Sequence, residues 1–152
     1  MGTEQEKGTT VILSGSKGAE TKYTAAINIA ATTTVKAWAV KGDKKSDEVT
    51  ATYTFIEYIE NATIAQVLAA EPSDYVWYKM TGVIDSLYNT TYGNFYFVDG
   101  QDTIIVYGLT ATKVASNDKS FASLNLVEGD KITIWGTRSA FNGNPQVGGP
   151  AY

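Results

Sequence analysis

The chain has 152 residues, 43% of them hydrophobic and 18% charged, with a formal net charge of −4, which fits one ordinary globular domain or two small ones. It has no Cys and no His, so thiolate nucleophiles, imidazole bases, disulfides and zinc-type clusters are excluded. No apolar run approaches the roughly 20 residues of a membrane-spanning helix, and no membrane span is expected.

In chain order, the polar start "MGTEQEKGTT" reads as a mature N-terminus, and "TTVILSG" as a first strand closed by turn residues. "SGSKGAE" lacks the spacing of a phosphate loop and reads as an ordinary loop. The next stretch, "YTAAINIAATTTVKAWAVKGDKKSDEVTATY" (residues 23–53), is a set of short β-runs divided by turn clusters. Val35, Ala37 and Ala39 share one face of a strand, and Lys36 and Trp38 the other. "KGDKKSDE" is a hairpin turn with Gly42 and Asp43 at its tip. No helical period appears before residue 60.

That stretch resembles the chitobiase/β-hexosaminidase C-terminal-like β-sandwich module. The match lies in a Tyr that opens a strand, the run Thr33-Thr34-Val35-Lys36-Ala37-Trp38-Ala39, a Gly-containing turn, and Ser46 to Tyr53 as S-x-x-x-T-A-x-Y. The segment "SGSKGAETKYT" is shorter than the family's equivalent and lacks its Asp-Gly, so a partial sandwich over residues 1–55 is expected. The resemblance implies a non-catalytic module beside the catalytic or binding domains of secreted proteins.

"EYIEN" reads as a short connection. Asn61 is expected to cap a short helix with Ile64, Val67 and Leu68 on one side, ended by Pro72. Five β-runs follow: "YVWYKMTGVIDSLY", "GNFYFVDG", "DTIIVYG", "KITIWGT" and "NPQVGG". The third and fourth are separated by a long connection in which "SFASLNL" is a candidate for one or two helical turns. Five strands with this spacing predict an OB-fold over residues 61–152, a five-stranded Greek-key barrel. The fold class expected for the chain is therefore mainly β, an OB-fold barrel preceded by a small partial β-sandwich, with one or two short helices. Gly82 is the expected bulge that lets the long first strand serve both halves of the barrel. Ile132 and Ile134 should point into the barrel and Thr133 and Trp135 outward, with Gly136 letting the strand bend.

Residues 62–150 also resemble OB-fold domains of exported proteins from Bacteroidetes-type bacteria, through "GNFYFVDG", "VYG" and "GDKITIWG" in that order. This resemblance implies an exported, cell-surface or periplasmic location and membership of a larger chain.

OB-folds bind ligands on the face of strands two and three and in the 1–2 and 4–5 loops. Tyr88, Tyr92, Tyr96 and Phe141 are the candidate stacking rings, and Asn94, Asn142, Asn144 and Arg138 the candidate hydrogen-bonding groups. Arg138 and Lys79 are the cations expected near that face. Asp99 and Asp102, like Glu128 and Asp130, read as caps of backbone N–H groups in turns rather than as metal ligands. Residues 55–152 carry four Lys and one Arg against ten acids, a poor match for phosphate-backbone binding. The expectation is a binding module and not an enzyme, without cofactor or metal, whose partner is a glycan or another protein. Single-stranded nucleic acid is the alternative, and a structural spacer for a catalytic region elsewhere is the third.

Overall fold

The computed structural model describes residues 10–14, 20–115 and 118–152. The first residues of the chain and the middle of "SGSKGAE" lie outside them. The chain divides into two compact units, Met1–Phe55 and Ile56–Tyr152.

The first unit holds β1 (Thr10–Ser14), β2 (Glu20–Lys22), β3 (Thr33–Lys41), β4 (Lys44–Lys45) and β5 (Val49–Tyr53). They form one antiparallel sheet in which β3 is central, pairing with β1, β4 and β5. Among the described residues this is a single layer of the partial sandwich. Val35, Ala37 and Ala39 are half-buried, whereas on the opposite face Lys36 is exposed and Trp38 buried. Trp38 is buried beneath the Lys45 ammonium, 4.0 Å from its ring centroid, a cation–π contact. The other face, with Val35, Ala37 and Tyr53, lines a shallow apolar depression. Gly42, at φ +59°, makes the two-residue turn between Lys41 and Lys44, where a side chain would be strained.

The second unit holds β6 (Glu57–Ala62), α1 (Ile64–Ala69), β7 (Ser73–Asn89), β8 (Asn94–Val98), β9 (Thr103–Tyr107), a 3₁₀ turn (Ser120–Leu124), β10 (Lys131–Phe141) and β11 (Asn144–Gly148). β7 pairs with β8 and β8 with β9, both antiparallel. β9 then runs parallel to β11, and β11 antiparallel to β10. The β10–β7 ladder closes the ring. A closed five-stranded barrel in this order is the OB-fold.

Two local expectations are corrected. "EYIEN" is not a mere connection: it is most of β6, a sixth strand lying parallel to β7. Asn61 does not cap the helix; Thr63 does. The Thr63 hydroxyl accepts from Gln66 N at 3.2 Å, and the Gln66 side chain accepts from Thr63 N at 2.8 Å, a complete capping box. The carboxylate of Asp99 accepts from Ile64 N at 2.9 Å, satisfying another of the helix's free N–H groups. Ile64 and Val67 thereby enter the barrel core with Phe95, Phe97, Val106 and Val147.

β7 does serve both halves of the barrel, and Val83 is its switch point, pairing with Lys131 of β10 and Val98 of β8. The irregularities of β7 are not at Gly82 but on either side of it, the earlier one between Ser73 and Trp77. The β7–β8 register shifts on either side of Leu87, and Ser86 takes φ +47°. Gly82 makes room instead: a Cβ there would stand 2.7 Å from the Val98 carbonyl oxygen and 2.9 Å from the Phe97 ring. Gly136 acts the same way, since a Cβ would stand 2.2 Å from Val147 Cγ1. The last residues complete the barrel wall. Tyr152 exchanges both backbone hydrogen bonds with Trp135, at 2.7 and 3.0 Å, and Ala151 N donates to Gly108 O at 2.9 Å.

Candidate ligand-binding site

The loop between β7 and β8 is held by its own first residue. The Asn89 side-chain oxygen accepts from Thr91 N at 3.0 Å and Tyr92 N at 3.1 Å, a side-chain-mimicked turn. Gly93, at φ +73°, lies against Phe121, whose ring leaves no space for a Cβ. The Tyr92 carbonyl accepts from Leu109 N at 3.0 Å, tying the loop to the end of β9. Tyr92 is thus fixed over a cleft of about 460 Å³ whose other walls include Asn89, Asn94, Tyr107, Thr110 and Pro150, within the range of small-ligand sites.

Asn94 is the distinctive wall residue. It is 5% exposed, and among the described residues its Oδ1 is buried without a hydrogen-bond partner. A buried amide oxygen in that state costs about 1–3 kcal/mol. Its neighbour Thr110 is satisfied, donating to Thr112 O and lying within hydrogen-bond reach of Ala151 O. Asp118, on the far wall, has its carboxyl held below the ordinary range by hydrogen bonds from the Ser120 hydroxyl and backbone N–H. It is therefore an ionised acceptor at neutral pH rather than a proton donor. The Lys119 ammonium stands 5.6 Å from the Tyr92 ring centroid.

Outside the cleft, Tyr88 and Tyr96 form a tilted ring pair with centroids 5.8 Å apart. Partial burial pushes the Tyr88 phenol above its ordinary value, and the neighbouring phenols of Tyr96 and Tyr107 push it the same way. Tyr88, Tyr96 and Tyr107 are 53%, 40% and 59% exposed. The arrangement offers ring faces for stacking, beside an unpartnered amide oxygen buried in the cleft wall.

Of the residues picked from the sequence, the structure gathers Tyr88, Tyr92, Asn94 and Tyr96 at this end of the barrel. It does not bring Arg138, Phe141, Asn142 and Asn144 there. Arg138 registers with Ser73, the first residue of β7, whereas Tyr88 lies near that strand's last. Phe141 and Asn144 pair beyond it, around the turn made by Asn142 (φ +50°) and Gly143 (φ +80°). Arg138 is also not a surface cation, being 8% exposed. Lys79 is engaged elsewhere, in an ion pair with Glu60 at 3.0 Å. Tyr107 is the residue that sequence reasoning missed. Strict alternation along Thr103–Tyr107 already turns it outward with Thr103, away from buried Ile104 and Val106.

A second aromatic cluster was also missed, because it depends on β6. Tyr58 packs edge-on against Trp135, with centroids 5.5 Å apart. Lys113 lies 3.9 Å from the Trp77 ring centroid and donates to the Tyr58 hydroxyl at 3.1 Å. This is why Trp135 can face away from the core: Tyr58 half-covers it. The turn carboxylates serve the backbone, Glu128 accepting from Leu87 N at 2.7 Å and Asp130 from Val127 N at 2.9 Å. Among the described residues no group of three or more Asp or Glu is placed to hold a metal ion, and no helix is long and apolar enough to cross a membrane.

The two units thus define a class, an OB-fold barrel joined to a small β-sheet unit. Residues 9–53 match a family model described as Fn3 associated, so the first unit is similar to that family over less than a third of the chain. No curated protein matches the chain.

Proposed function

We propose that the protein is a non-catalytic accessory module of an exported protein, and that its barrel binds a neutral glycan at the Asn94 cleft. The observation that carries this reading is the buried, unpartnered Oδ1 of Asn94 in a cleft walled by Tyr92 and Tyr107. A small turn of the Asn94 amide toward the cleft lets a sugar hydroxyl supply the missing donor, and the C–H face of a pyranose suits a tyrosine ring. Tyr88 and Tyr96 extend the platform. The similarity of residues 9–53 to an Fn3-associated family supports an accessory role. The acidic balance of residues 55–152 argues against a polyphosphate partner, which gains its affinity by releasing counterions to Lys and Arg.

A ¹⁵N-amide titration with a panel of neutral oligosaccharides, and separately with a short single strand at low and physiological salt, tests the reading. Expected are shifts over Tyr88–Tyr96 and at the Asn94 side chain with a sugar, insensitive to salt. Tyr96→Ala and Tyr107→Ala should each weaken that binding about tenfold, with Phe141→Ala unchanged. Shifts with DNA alone, erased by salt, would replace the glycan with nucleic acid. Silence from every probe would make the barrel a spacer.

A further inference from the structure

The opposite end of β7 holds a different anomaly. The β10–β7 ladder runs in step through Thr137 and Trp77, then jumps to Arg138 and Ser73. The jump leaves Asp74, Tyr75 and Val76 as an arch outside this ladder, its last residue pairing with Glu57 of β6 instead. Between arch and arginine lies a pocket of about 420 Å³, lined by Pro72, Ser73, Asp74, Tyr75, Ser139 and Ala140 as well as Arg138 itself.

Arg138 is the only arginine in the chain, and it is buried with no counterion among the described residues. Among the described residues the ion pairs are Lys36–Glu48 and Lys79–Glu60, and neither involves it. Its Nη1 donates to the backbone carbonyl of Ser139, and its Nε has no partner. Burial, then Glu57, pushes the Tyr78 phenol above its ordinary value, and the charge of Arg138 pulls it part of the way back. A guanidinium taken out of water needs an anion in fork geometry to recover what desolvation costs. Asp74 lines the same pocket from the exposed side of the arch, yet makes no ion pair with the arginine.

We propose that this pocket is a second ligand site, built for the carboxylate of an acidic sugar, a uronate. The volume suits one monosaccharide. Arg138 takes the carboxylate, and Tyr75, exposed at the rim, offers its ring to the sugar face. The Ser73 hydroxyl already accepts from Tyr75 N at 3.2 Å, so its proton is free to be donated to the ligand. Asp74 repels the bound anion and weakens it. The site is independent of the Asn94 cleft at the other end of β7, so failure of neutral sugars there leaves this proposal standing.

Because the chain has a single arginine, its ¹⁵Nε–Hε cross-peak reports the site without assignment ambiguity. The titrants are sodium glucuronate, sodium acetate and glucose at constant ionic strength and neutral pH. Glucuronate should move the cross-peak and the Tyr75 and Ser139 amides, at least tenfold more tightly than acetate, and glucose should move none of them. Arg138→Lys, which keeps the charge and loses the fork, should weaken glucuronate at least tenfold. Asp74→Asn should tighten it. An unmoved cross-peak, an equal response to glucose, or parity with acetate overturns the proposal. So does weaker binding in Asp74→Asn. Should Arg138→Lys not fold, the wild-type titrations and Asp74→Asn decide the matter.

Discussion

Gly136 and Trp135 are neighbours with opposite demands, and both demands come from other strands. Trp135 faces outward and is half-covered by Tyr58, while Gly136 leaves the space that Val147 fills. That Ile134 points inward was legible from alternation along β10, and it is buried as expected. The reason for the glycine was not legible, because Val147 reaches it only through the β10–β11 register. Gly136 is not a hinge but a cavity for a partner, so Gly136→Ala should destabilise the protein by roughly 1–3 kcal/mol, the usual cost of overpacking a filled core. Val147→Ala in the same chain should return part of that loss, since residues in contact are coupled. Urea denaturation of both variants measures it, and a Gly136→Ala protein as stable as the parent would show that the barrel bends freely at this position.

At the scale of elements, the short helix shows how far a local signal reaches. Asn61 has the chemistry of a cap, but Thr63-Ile64-Ala65-Gln66 spells the reciprocal box two residues later, and the box wins because it satisfies two N–H groups rather than one. The third partner, Asp99, is a turn residue 35 positions along the chain, and no local pattern names it. Asp99 was expected to cap its own turn; it caps the helix that packs beside that turn. Thr63→Ala should cost about 1 kcal/mol, and Asp99→Ala a similar amount through the exposed Ile64 N–H. Chemical denaturation checks both. If Asp99→Ala were neutral while Thr63→Ala was not, water would be replacing the carboxylate at the helix start.

For the whole molecule, the order of the barrel strands was legible because it needs only five β-runs and one long connection, all local features. Which strand ends meet was not legible. Loops 1–2 and 4–5 were placed on one face by analogy with the fold, yet the β10–β7 ladder sends Tyr88 and Arg138 to opposite ends of a 17-residue strand. The missing sixth strand has the same origin. "EYIEN" carries three charged or amide side chains in five residues, so it reads as a linker, and only its pairing with β7 makes it a strand. It brings half-buried Ile59 and buried Ala62 to the core cluster. The unit boundary therefore falls before it, between Phe55 and Ile56. A fragment of residues 56–152 should fold cooperatively on its own, whereas residues 63–152 should lose about 2 kcal/mol or more through the uncovered edge of β7 and the missing Ile59. Thermal unfolding of the two fragments decides this. Equal midpoints would mean that β6 decorates the barrel without supporting it, and that Trp135 needs no cover from Tyr58.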